Sequence, residues 1–268
     1  MNNTEIKKRL FHPKTNKQHF LAQLKMDSNY NEFKKIIKGI KQHPFGRFAL
    51  NSTSIPKSPS DLRKNNIIPH SGNIQTEIAW IVDSILENSE LINKYVELKE
   101  EYENSFLLNQ YDKSEEILNK IEKEICFSIW GAENRLLLTE EKLGTESNWL
   151  LLDDYLKNIK DPLSQFLIEQ SSKKAENKFS YVRYKSNFES IIEGTNESLQ
   201  EYLCFKIIYP GYTGFQNFSF LINIESVSSI IDRYNLLMDI LIELVPLGQN
   251  DFLLSVAKDL SKKISNDI

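Results

Sequence analysis

The sequence predicts an all-α chain: antiparallel helix pairs stacked one on the next, behind a basic and partly irregular N-terminal extension. Three observations lead there. Apolar residues between about Leu91 and Ile159 recur at spacings of three and four, the rhythm of one face of a helix. Only 9 Gly and 8 Pro occur in 268 residues, too few for a many-turned β-fold. The chain also matches itself at an offset of 34 residues between about Leu91 and Ile159.

The first predicted pair lies in Tyr95–Lys123. Val96, Leu98, Tyr102, Phe106, Leu107 and Leu108 lead to a polar break at Asn109-Gln110, after which Ile117, Leu118 and Ile121 resume the pattern. A break of a few residues folds the second helix back on the first. The second pair repeats this: Trp130, Leu136, Leu137 and Leu138 precede Gly144, and Trp149, Leu150, Leu151, Leu152, Tyr155 and Leu156 follow. The offset lays Gln110 on Gly144, Ser114 on Asn148, Leu118 on Leu152 and Ile121 on Tyr155. With its turn Asn109 to Ser114, this period resembles the tetratricopeptide helix-turn-helix repeat over about a quarter of the chain. Tyr102, and Asn134 or Leu136, stand where that repeat has a small residue, and no proline separates the copies. The resemblance implies a right-handed α-solenoid that binds a partner on a concave face built from the first helices. Tyr95, Tyr102, Glu133, Asn134 and Arg135 are the candidate partner-binding residues on that face. The stretch Phe127-Ser128-Ile129-Trp130 through Glu133 to Leu138, followed by Gly144, is also similar to helical-repeat proteins of bacterial defence islands, which implies an accessory component of a larger bacterial complex.

Two regions divide the chain: residues 1–70, basic helices plus a linker rich in Pro, Asn and Ser, and residues 71–268, the repeat-like body. Residues 1–70 hold 14 Lys and Arg against 4 Asp and Glu, and the remainder holds 19 against 33, so the net charge of −4 conceals opposite signs. Such asymmetry points the basic end at an anion, which is either nucleic acid or an acidic protein surface, the chain's own body included. Before Lys41 two short helices are predicted. Pro13 opens one, with Phe20, Leu21 and Leu24 inward, and Phe33, Ile36, Ile37 and Ile40 stripe the other. The candidate anion contacts are Lys7, Lys8, Arg9, Lys14, Lys17, Lys34, Lys35, Lys38, Lys41 and Arg47. From His43 to Gly72 helices are interrupted by Pro44, Pro56, Pro59 and Pro69, while Phe45, Phe48, Leu50, Ile55, Ile67 and Ile68 suggest a strap docked on the body.

Beyond Gly72 the helical pattern is nearly continuous. Ile78, Trp80, Ile81, Ile85 and Leu86 mark one helix, and Asp161-Pro162 caps and opens another with Phe166, Leu167 and Ile168 inward. Ala175, Phe179, Val182, Phe188, Ile191 and Ile192 predict a helix stopping at Gly194, and Leu199, Tyr202, Leu203 and Ile207 predict the next. After a break at Pro210–Gly214, Ser226 is read as the cap of a helix with Ile230, Ile231, Leu236, Leu237, Ile240 and Leu241. It is apolar on more than one face, so it belongs in the core or in a dimer interface. Phe252 to Ile264 is amphipathic and suits the end of the stack.

No pattern of catalytic chemistry stands out. His12, His19, His43 and His70 lack the short spacing of metal ligands, so neither a metal nor a cofactor is expected. Adjacent carboxylates such as Asp153-Asp154 point about 100 degrees apart on a helix and do not converge on one atom. Cys126 and Cys204 sit in apolar patterns far from any histidine and read as inert thiols in a reducing setting. The first eight residues lack the apolar core of a signal peptide, and Asp239 and Glu243 interrupt the longest apolar run, so a cytoplasmic chain without a membrane span is expected. The function that follows is a non-enzymatic scaffold for protein–protein interaction. Nucleic-acid binding through residues 1–70, or service as the regulatory subunit of an enzyme, are the alternatives.

Overall fold

The structure is a computed structural model that describes residues 3–42, 55–63, 71, 73–208, 219–244 and 251–264. Among them are fourteen α-helices, one 3-10 turn and no strand. The candidate residue Arg47 and the strap residues Phe45, Phe48, Leu50, Ile67 and Ile68 lie outside the described residues, as does the break at Pro210–Gly214.

Three helices, not two, precede residue 43: α1 (Asn3–Phe11), α2 (Lys17–Asp27) and α3 (Tyr30–Lys41). Asn16 and Asn29 divide them, each side-chain oxygen accepting the backbone N–H three residues on, which satisfies a donor left open at a helix start. Pro13 opens no helix. It sits inside the turn closed by Thr15 N–H on His12 O, where its fixed φ is suited to the second position. Ile6, Leu10, Leu21, Leu24, Phe33, Ile37 and Ile40 form a small core of their own, closed on the other side by Trp80 of α4 (Ile74–Glu87).

Among the described residues, the other buried apolar side chains from Leu62 to Ile264, Ala175 excepted, belong to one larger core. Its first layer is laid down by α5 (Ser89–Leu107), α6 (Tyr111–Glu124), α7 (Ile129–Leu143) and α8 (Thr145–Asn158). The α5–α6 turn works because Asn109 accepts φ +57, letting Gln110 N–H reach Ser105 O and Asn109 N–H reach Phe106 O, so that two end carbonyls are paired. Beside it the Ser105 and Ser114 hydroxyls meet at 2.8 Å, and Lys94 pairs with Glu124 at the far end, so the two helices run antiparallel. Gly144 alone joins α7 to α8, at φ +84, a backbone that side chains rarely adopt. Asn148, the partner of Ser114 at the offset of 34, is likewise fully buried, bonded to Glu140 and to Ser172.

Next come α9 (Pro162–Ala175), α10 (Tyr181–Ile192) and α11 (Glu197–Ile208). Asp161 caps α9 as its sequence predicts, accepting Ser164 N–H at 2.7 Å. The helix predicted from Ala175 to Ile192 is instead two: α9 ends at Ala175 and α10 begins at Tyr181. The chain closes with α12 (Ser219–Glu225), α13 (Ile230–Leu244) and α14 (Asp251–Ser261). Ser229, not Ser226, starts α13: its hydroxyl accepts Asp232 N–H at 3.1 Å and its carbonyl accepts Arg233 N–H. As its all-round apolarity predicts, α13 is buried, packed on α4, α5, α7 and α14. The strap 55–63 does dock: Phe127 N–H bonds Pro56 O, Lys57 reaches Ile125 O, and Leu62 enters the main core.

Candidate functional site

The first helices of the two pairs do not present an open face. Tyr95 and Tyr102 are 0% and 2% exposed, Tyr95 under α13 and Tyr102 against α7. Tyr95 Oη exchanges hydrogen bonds with the Asn235 amide at 2.9 and 3.1 Å and packs edge-on against Trp130 and Tyr234. Tyr102 reaches Asn134 O at 3.2 Å. These two tyrosines are packing residues: the helix that covers Tyr95 lies more than a hundred positions further along the chain, and Tyr102 packs on Phe106 and Trp130. Asn134 turns back to Trp130 O, and Arg135 pairs with Glu122 and bonds Asn119. Of the five, Glu133 and Asn134 line a cavity, and Glu133 lines both of its hollows.

That cavity lies among α5, α7, α9, α11 and α13 and has two hollows. One, of about 300 Å³, is walled by Glu133, Asn134, Leu137, Ser171, Lys174, Ala175, Lys206 and Ile207. The other, of about 290 Å³, is walled by Lys99, Glu103, Trp130, Glu133, Phe205, Lys206, Asp232, Asn235 and Asp239. Glu133 and Lys206 line both. Ser171 Oγ lies 2.8 Å from Glu133 Oε1 and 3.0 Å from Leu167 O, one proton between two acceptors. Burial raises the Glu133 carboxyl above the ordinary range, more than the Lys206 charge and the Ser171 bond lower it.

Behind the cavity runs a seam of buried charge. Glu225, 1% exposed, accepts Tyr202 Oη at 2.7 Å, Ser228 Oγ at 3.1 Å and Lys206 Nζ at 3.2 Å, with Arg63 Nη1 of the strap at 3.4 Å. Burial works against its charge, yet Lys206, Arg63 and the hydrogen bonds outweigh it, and the carboxyl falls below the ordinary range. For Lys206 burial is likewise outweighed, by Glu225, Tyr202, Asp232 and Glu133, and its pKa rises. Arg63 also holds Ile224 O and Ser228, so the strap is pinned at its end by the C-terminal helices. Asp232 has a separate duty: it accepts Ile129 N–H at 3.1 Å and Trp130 N–H at 3.0 Å, placing a carboxylate on the N-terminus of α7. Arg233 Nε is buried without a partner, and burial brings that guanidinium down to about 10.

The basic candidates divide. Lys34 is taken by Asp83 of α4, and beside it Lys25 is buried 2.7 Å from the Glu77 carboxylate. Lys8, Arg9, Lys14, Lys35 and Lys38 are exposed, and Lys7, Lys17 and Lys41 are half-buried. Part of the basic end therefore meets the chain's own acidic body. His12 accepts Lys14 N–H within its turn, and among the described residues no group of His, Cys, Asp and Glu converges as a metal site. Cys126 is buried, its thiol pushed up to about 12 by burial. None of the described helices is long and apolar enough to cross a membrane.

Sequence reasoning missed Lys206, Glu225 and Asp232. Ser229-x-x-Asp232 is a legible capping pattern, but which helix its carboxylate also reaches is a tertiary matter. It also placed Leu107, Leu108, Trp149, Leu150, Val182 and Ile191 inward, and all six are more than half exposed. No family model, no curated protein and no solved structure matches this chain.

Proposed function

We propose that the chain is a non-enzymatic helical scaffold, its pairs stacked in the right-handed, tetratricopeptide-like manner, and that it holds a protein partner on the turn end of the stack. The observation that carries this is the run of uncovered apolar side chains there. Leu107 is 78% exposed, Leu108 67%, Leu143 63%, Trp149 55%, Leu150 73% and Val182 78%. Contacts tie these turns into one end of the molecule: Lys142 reaches Asp112 and Glu115, Trp149 Nε1 reaches Glu176, and Asn177 reaches Glu140. Single exposed leucines are ordinary, but a series along consecutive turns marks an interaction surface. The second helices begin at Tyr111, Thr145 and Tyr181, steps close to the repeat length, which favours the stacked arrangement. With α13 across α5 and α7, the face used is the turn end and not the inner one. The likeness of Phe127–Leu138 to helical-repeat proteins of bacterial defence islands makes an accessory subunit of a bacterial complex the concrete form of this reading.

A photo-crosslinking residue at Leu143, Leu150 or Val182, in the native cells, tests it against the same residue at exposed Lys120 and Glu197. A discrete adduct from the first three positions alone is expected. Absence of an adduct, or equal labelling at the controls, overturns the reading. A second reading, nucleic-acid binding through α1–α3, rests on exposed Lys8, Arg9, Lys14, Lys35 and Lys38. It requires duplex affinity that falls steeply with salt and is lost when those five are changed to Gln.

A further inference from the structure

Glu133 and Lys206 stand in the wall that the two hollows share, yet no ion pair joins them. Each retains bonding capacity: Glu133 Oε1 is met by Ser171, leaving Oε2 open, and Lys206 uses one N–H, on Glu225. Lys174, on the same side, gives one N–H to Ile207 O and keeps two. An acid and a base that line one cavity with unused bonding capacity suit a ligand that carries both opposite charges next to each other. The hollow beside the two lysines has an apolar floor of Leu137, Ala175 and Ile207. At about 300 Å³ it stands at the small end of ligand sites.

We propose that this cleft binds a free α-amino acid with an apolar side chain, its ammonium on Glu133, its carboxylate between Lys206 and Lys174, and its side chain over Leu137, Ala175 and Ile207. A simple carboxylate would meet Glu133 as a like charge. A simple amine would bring no carboxylate to Lys174 and to the free N–H groups of Lys206.

Calorimetry on the full chain with leucine, isovalerate and isoamylamine separates these cases. Leucine is expected to bind saturably, with each one-charge probe weaker by about tenfold or more, the worth of a lost charge-assisted bond. Proton traffic gives a second readout, from the same titrations in two buffers of different ionisation heat. An ammonium beside Glu133 lowers its raised pKa, so leucine binding releases protons, whereas a bound carboxylate draws protons in. The groups facing Glu133 are Lys206 on α11 and Ser171 and Lys174 on α9. From α13 and α5 come Asp232, Asp239, Lys99 and Glu103, and Tyr184 of α10 is near. Glu133→Gln should abolish the proton release and weaken leucine, since the amide keeps the shape and the Ser171 contact. Lys174→Ala, at an exposed position, should weaken leucine and leave isoamylamine unchanged. No saturable heat from leucine, isovalerate binding as tightly as leucine with proton uptake, or unaltered leucine binding in Glu133→Gln would each overturn the proposal.

Discussion

Two seams of buried charge hold this molecule together, and they differ in sign of outcome. Where α2 meets α4, Lys25 pairs with the Glu77 carboxylate, which also accepts Ser71 N–H and Oγ, and lies over the Trp80 ring. Burial prevails and the Lys25 pKa falls. Where the strap and α11 meet α12, Glu225 is surrounded by Lys206, Arg63, Tyr202 and Ser228, the attraction prevails, and the carboxyl is held ionised. Glu225 gathers two cations and two hydroxyls around one carboxylate, and that concentration of partners outweighs its burial. The first seam fastens a small separate core to the body, while the second binds the strap, α11, α12 and α13 into the body itself.

The largest effect expected is that of Glu225→Gln, which removes the carboxylate paired with Lys206 and one of the two beside Arg63 and costs about 3–5 kcal/mol, read by urea unfolding. The sign follows from the lowered pKa. Stability from Glu225 is present above its unfolded value, 4.5, and is lost as pH falls through the lower folded one, so the variant's deficit shrinks in acid. Replacing both members of the other seam, Lys25→Met with Glu77→Leu, is expected to be neutral or to stabilise by about 1–4 kcal/mol, because a lone pair repays its dehydration poorly. A double variant as damaging as Glu225→Gln would erase the distinction between the seams.

A smaller effect, opposite in sign, is expected at Glu133. Its raised pKa means that the folded state holds more protons between 4.5 and the folded value, so stability is lost as pH rises through that window. Glu133→Gln should therefore unfold at a higher temperature than the parent at neutral pH, with the advantage vanishing below pH 4.5. Smallest of all is Leu150→Ser, at 73% exposure, expected to move stability by no more than about 0.5 kcal/mol while removing the partner crosslink.

The legibility of the fold followed the range of the interactions. The turn at Asn109-Gln110, the cap at Asp161 and the buried small polar pair Ser114 and Asn148 are local or repeat-encoded, and each could be read from neighbouring residues. The leucine runs Phe106–Leu108 and Trp149–Leu152 were not resolved, since a continuous apolar run has no period to show which members face in. What covers Tyr95 could not be read from neighbouring residues, because the covering helix is distant in sequence. The candidate cleft was the least legible part. Its walls come from five helices, and of its charged residues only Glu133 had been singled out.

By itself the sequence determined that the chain is helical, where most of its helices begin and end, and that its basic and acidic residues are segregated, since those properties reside in spacing, capping and composition. Tertiary structure alone decided which apolar faces are covered, which lysines are spent on internal carboxylates, and that Glu133 and Lys206 line one cavity. The physical reason is that burial and polar pairing depend on what lies within a few ångströms in space, and for this chain those neighbours lie up to 170 residues away along it.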